Sequence, residues 1–237
     1  MSAGLAVSPS AGISTSLAKA AVPVVGVVGR VTWQKGQHVL LHAAAELARF
    51  GQHLEIVFVG APAENNAEDS AYAQELRKLA ERLGLAERVH WTGYVEDPNP
   101  LYAVMDVLLI PSVVSEGLPL VALEALQWGV PVIGSEVGGV AEVVHENVNG
   151  FLMPPGDFRA LAQHLRRLLD SADLRARLQA GARDSVDDRF SPGAFRGAIR
   201  RAVFDLISGP ETIEAQSATV AQSCRRARVR ALGARQL

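Results

Sequence analysis

Short apolar runs of four to seven residues recur along this chain, and most are followed by a stretch with helical spacing. This alternation restricts the fold more than any other feature. The β-branched run 22–28 predicts a strand, and further strands are expected at 54–59, 88–91, 107–110, 130–133 and 150–153. Helices are expected at 37–49, at 70–83 before Gly84, and at 120–128 before Gly129. Three more are expected at 158–169, 173–186 and 193–207. Strands alternating with helices imply βαβ crossovers, hence an α/β fold with a Rossmann-like parallel sheet flanked by helices. Such sheets bind ligands at the carboxyl ends of their strands, beside helix N-termini.

Composition narrows the function. Lys and Arg (23) nearly balance Asp and Glu (25), giving a net charge of −2. That argues against nucleic acid as a partner, because a phosphate backbone is held by a cationic field. The single cysteine, Cys224, excludes an internal disulfide and fits a reducing, cytoplasmic compartment. No stretch approaches the ~20 apolar residues of a transmembrane segment. Residues 1–21, rich in Ala, Ser and Gly, read as a disordered leader without the cationic start of a secretory signal. Residues 22–207 form the expected domain, and 208–237 a mobile basic tail.

Two places carry candidate chemistry. Arg30 and Lys35 follow the first strand and flank the start of a helix. The macrodipole disfavours cations there by roughly 0.3–1 kcal/mol each, so an anion between them, typically phosphate, makes sense of the pair. The alternative is two solvated surface cations. Glu116 precedes the helix 120–128, and Glu124 is the only charged residue between Leu118 and Leu126. One reading makes both acids acceptors for the hydroxyls of a sugar or ribose. The other makes Glu116 a dipole-stabilised carboxylate and Glu124 the partner of a buried Arg. His38 and His42 have the i,i+4 spacing of a zinc helix but lack an adjacent Glu, so they read as a helix face. No Walker loop or G-x-G-x-x-G is present, which leaves an ATPase or dehydrogenase unsupported, and there is no Asp-x-Asp that could hold a metal–diphosphate.

The motifs occur in a particular order. Arg30 to Lys35-Gly36 is followed by Phe58-Val-Gly60, Trp91-Thr-Gly-Tyr-Val-Glu96 and Pro111-Ser-x-x-x-Glu116-Gly. Glu124-Ala-Leu, Gly129-Val-Pro, Gly138-Gly and Gly150-Phe-Leu come next. Over 22–207 this resembles the C-terminal, donor-binding half of retaining GT-B glycosyltransferases. The resemblance implies a single GT-B half-domain that binds a nucleoside diphosphate sugar, with no metal and no other cofactor. It implies that Arg30 and Lys35 hold the donor diphosphate and stabilise its departure, that Glu116 contacts the transferred sugar, and that Gly117 and Leu118 offer nearby N–H groups. Glu124 would hold the ribose, and Tyr94 and Val95 the nucleobase, mainly through backbone. Gly29 and Gly60 would line the cleft where a side chain obstructs the donor; the alternative for both glycines is simple strand-to-helix turn geometry.

A whole enzyme of that kind is about twice as long and has an N-terminal acceptor domain. The resemblance therefore leaves three readings: a donor-binding subunit that works with a separate acceptor-domain protein, a non-catalytic nucleotide-sugar-binding module, or a truncated inactive fragment. The last expected helix would present Phe195, Ile199, Val203, Phe204 and Leu206 on a partly uncovered apolar face.

Overall fold

The computed structural model describes residues 9–186 and single positions between 193 and 204. One compact unit ends at Val186. Its strands are β1 (Val24–Val28), β2 (Glu55–Val59), β3 (Val89–Gly93), β4 (Val107–Ile110), β5 (Val132–Ser135) and β6 (Gly150–Met153). All neighbours pair in parallel, in the order β3-β2-β1-β4-β5-β6. The order reverses between β1 and β4, which opens a crevice at their carboxyl ends. The β4 residues Val107–Ile110 are buried throughout, as expected for a parallel strand covered on both faces.

The long helices are α2 (Gln37–Ala48), α3 (Ala67–Arg82), α5 (Leu120–Gln127), α7 (Phe158–Asp170) and α8 (Ala172–Ser185). Val25, Val27, Ile56, Phe58, Leu109 and Ile133 of the sheet share one core with Leu40 and Leu41 of α2, Leu76 of α3 and Leu161 and Leu165 of α7. On the opposite face Met105 lies against Gly26, and Val140 against Gly134. The expected strands and helices up to residue 186 are all present, with ends displaced by a few residues.

Two one-turn helices escaped the sequence reading: α4 (Asn99–Tyr102) and α6 (Val140–Val143). The expectation of a disordered leader over 1–21 is corrected at α1 (Pro9–Leu17). Ile13 is half-buried and Leu17 buried, one helical turn apart, and this anchor was hidden by the Ala/Ser composition. The tail 208–237, with Cys224, lies outside the described residues, as do Phe195 and Leu206 of the final expected helix. The described positions Ile199, Val203 and Phe204 are helical and about half exposed. Among the described residues no helix is long and apolar enough to cross a membrane.

Candidate functional site

β1 ends at Val28 and the chain turns sharply through Gly29 to a 3₁₀ turn, Trp33–Lys35, before α2. Three constraints hold this turn. Val31 N–H donates to Ala61 O at 3.0 Å, Gln37 Nε2 donates to Arg30 O at 2.9 Å, and Val113 N–H donates to Gln34 O at 2.9 Å. Gly36 sits at φ 67°, and a Cβ there would lie 1.9 Å from Pro111 O, so only glycine fits.

The turn presents Lys35 to the loop after β4. Lys35 Nζ donates to Glu116 Oε1 at 2.7 Å, and the Ser112 hydroxyl donates to the same oxygen. Gly138 packs behind Glu116: at φ 51° its Cβ would fall 1.8 Å from Glu116 O. Gly139 N–H then donates to that carbonyl at 3.1 Å. The β5–α6 loop thus fixes the Glu116 backbone while Lys35 and Ser112 fix its carboxylate.

Arg30 points another way. Its Nε lies 3.8 Å from Asp69 Oδ2 on α3. Neither cation is a lone solvated charge, since each faces a carboxylate.

Two cavities open at the carboxyl end of the sheet. The larger, about 430 Å³, is lined at the ends of β1, β2 and β3 by Gly29, Arg30, Gly60, Glu64, Tyr94 and Val95. The smaller, about 130 Å³, lies between the ends of β1 and β4 and is lined by Lys35, Ser112, Glu116, Leu118 and Leu120. Leu118 and Leu120 are substantially exposed, and Gly117 is exposed beside them.

The two glycines of the larger cavity are there for different reasons. At Gly60, φ 138°, a Cβ would lie 2.0 Å from Gly29 O, so backbone packing alone demands glycine. At Gly29, φ 140°, the nearest foreign atom to a Cβ would be Lys35 Cε at 3.9 Å, so conformation and not crowding selects glycine there.

Glu124 is placed differently from expectation. It lines neither cavity and is paired with a tyrosine rather than an arginine: Tyr102 OH donates to Oε2 at 2.7 Å. Burial, and then the adjacent Glu124 carboxylate, hold the Tyr102 phenol far above the ordinary tyrosine range, so it stays a donor.

The α2 N-terminus also differs. The N–H groups of Gly29, Val31, Lys35 and Gly36 all donate to backbone carbonyls. The His38 N–H donates to Tyr72 OH at 3.2 Å. These N–H groups are therefore taken, and the Arg30 and Lys35 side chains carry the positive charge beside this turn. The His38 ring stacks beside Trp33, whereas His42 lies against Phe158, consistent with a helix face. Among the described residues there is no group of three or more His, Cys, Asp or Glu that could hold a metal ion.

Sequence reasoning missed Ser112, Tyr102, Asp69 and Gly138 as supports of the site. Ser112 was legible, four residues before Glu116 in a quoted motif; Asp69 and Tyr102 reach their partners only through the tertiary fold.

Together these features define an α/β domain with a divided cleft at the carboxyl end of its parallel sheet. Residues 14–185 match the family described as glycosyl transferases group 1, and the chain belongs to that family. It is 35% identical over 192 residues to 2-deoxystreptamine glucosyltransferase of Streptomyces kanamyceticus, covering 80% of this chain and 47% of that enzyme. It is 36% identical over 168 residues to D-inositol 3-phosphate glycosyltransferase of Salinispora arenicola, covering 68% of this chain and 36% of that enzyme. Among solved structures it resembles Anabaena HepE in complex with UDP-glucose, with TM-score 0.73 and 28% identity over 83% of this chain and 52% of that one. It also resembles the C-terminal domain of the group 1 protein LpcC from Francisella tularensis, with TM-score 0.62 and 26% identity over 70% of this chain and 86% of that domain. The fold is that of the C-terminal half of a GT-B glycosyltransferase. The chain spans about a third to a half of the length of the curated relatives quoted.

Proposed function

We propose that this chain is the donor domain of a retaining, metal-independent glycosyltransferase that binds a nucleoside diphosphate sugar. The observation that carries the reading is the Lys35–Glu116 pair at 2.7 Å, set at the β1/β4 switch point with Arg30 on the adjoining cavity. The larger cavity takes the nucleoside, with Tyr94 and Val95 beside the base, and the smaller takes the transferred sugar against Glu116, Gly117 and Leu118. The diphosphate bridges the two, between Arg30 and Lys35. Uridine is the base tested first, because HepE binds UDP-glucose in a similar fold. Glu124 serves the ribose if its carboxylate turns from Tyr102 toward the cleft.

Cleaving the sugar–phosphate bond leaves negative charge on the nucleoside diphosphate and positive character on the sugar. Arg30 and Lys35 offset the first, and Glu116 the second, in a site built before the reaction begins. The start of α5 lines the smaller cavity and adds the positive end of its dipole. No metal is required where two cations already meet the diphosphate. Transfer would need an acceptor-binding half from outside these 237 residues, because the chain matches only about half of its relatives.

Calorimetry with UDP, GDP, ADP and their glucose conjugates tests the reading. At least one diphosphate should bind without added divalent metal, and Glu124→Gln should weaken it more than it weakens pyrophosphate. Binding by none of the six would reject the donor-site assignment.

A further inference from the structure

Asp69 is the third residue of α3, far from the cleft in sequence, and no local motif marks it. Its side chain is only 8% exposed, and Oδ2 has no hydrogen-bond partner among the described residues. A buried carboxylate oxygen without a donor is costly, so its surroundings need a reason. The cation facing it is Arg30, whose Nε lies 3.8 Å away while the guanidinium itself is 52% exposed. The closest approach is at Nε, and no hydrogen bond joins the guanidinium to Asp69 Oδ2. Arg30 lines the larger cavity, as do Ala61 to Glu64, the loop that leads into α3.

The backbone at Asp69 is held at the start of α3, and its side chain is confined by burial. The Asn66 side chain caps α3, accepting from Glu68 N–H at 3.0 Å and Asp69 N–H at 3.1 Å. The Arg30 backbone is fixed by Gln37 and, through Val31, by Ala61. The Arg30 side chain is thus the movable part, and Asp69 is the anchored charge beside it.

Resting on the proposed donor site, we infer that Asp69 is the positioning residue of Arg30. It draws the guanidinium in through Nε and leaves both terminal nitrogens to phosphate oxygens of the bound nucleotide. A bidentate guanidinium–phosphate contact depends on orientation as well as charge, so losing the anchor weakens it even though a negative charge is removed.

The test is a double-mutant cycle read by calorimetry with UDP and, as reference, uridine. Asp69→Asn should weaken UDP about three- to tenfold, with much less effect on uridine. In an Arg30→Ala background the same change should have no further effect on UDP. Independent, additive losses, or equal losses for uridine and UDP, would overturn the inference. Arg30→Lys is the second arm, at an exposed position that tolerates change: it keeps the charge but lacks the fork, and should weaken UDP at an unaltered melting temperature. Wild-type affinity in Arg30→Lys would also refute the anchor. Failure of the wild-type chain to bind any nucleoside diphosphate is a separate outcome, and it removes the parent reading together with this one.

Discussion

Lys35 and Glu116 neutralise each other in the absence of ligand, and Ser112 shares the same carboxylate oxygen. A bound diphosphate would give Lys35 a second anionic partner without leaving Glu116 unpaired, because the Ser112 hydroxyl remains. Lys35→Ala should therefore remove one charge-assisted contact, worth about 1.5–3 kcal/mol, and weaken nucleoside diphosphate binding about ten- to hundredfold. Unchanged binding by calorimetry would exclude Lys35 from the diphosphate site. The residues named from sequence at this point were named by motif, and the structure places Arg30, Lys35 and Glu116 around adjoining cavities. Glu124 shows the limit of that approach. Its isolation on an apolar helix was legible, but its partner Tyr102 comes from a helix 22 positions earlier that has too few residues to show periodicity.

The start of α2 shows how one helix holds another. Gly36 offers no side-chain cap, and the Tyr72 hydroxyl of α3 takes the His38 N–H instead. The same hydroxyl lies 3.0 Å from His38 Nδ1, which suits a neutral ring accepting its proton. Burial pushes the Tyr72 phenol up to about 12, outweighing the backbone N–H groups of His38 and Gln37 that favour the anion. Burial, and then the neighbouring His42, push His38 below its ordinary 6.5. The unfolded chain therefore takes up a proton near pH 6.5 that the folded chain resists, and stability falls as pH drops through that value. His164 adds the same sign, its burial outweighing Glu146. The loss levels off only below the folded values. Melting temperature should decline on acidification from about pH 7 to 5, and less steeply in His38→Gln, which cannot titrate. Equal slopes would assign the decline to other groups. The elements themselves were legible wherever period and length agreed, as in β4, whose four residues were read from an apolar run. One-turn pieces such as α4 and α6 have no period to read, and α1 is held by Leu17 rather than by composition.

Taken whole, the chain is a C-terminal-type half domain that covers 47% and 36% of the two curated relatives quoted above. The smaller cavity carries exposed Leu118 and Leu120 in its lining. Closure of a second half over such a site usually excludes water and completes the catalytic groups. The isolated chain should thus bind a nucleotide sugar yet release its nucleotide no faster than uncatalysed hydrolysis in a coupled assay. Rapid turnover by this chain alone would show that no second half is needed. The parallel sheet was legible from alternation alone, whereas the strand order that puts β1 beside β4 was not, because order depends on which crossovers pack and not on the strands' own residues.

The two hollows at the top of the sheet have only Val28 in common along their walls. One belongs to the loops after β1, β2 and β3, the other to the turn before α2 and the loop after β4. Drift in residues 62–64 or 94–95 can therefore reshape one hollow while leaving the Lys35–Glu116 ion pair of the other untouched. Under the proposed function, a scaffold partitioned in this way can change which nucleoside it accepts without rebuilding the Lys35–Glu116 pair.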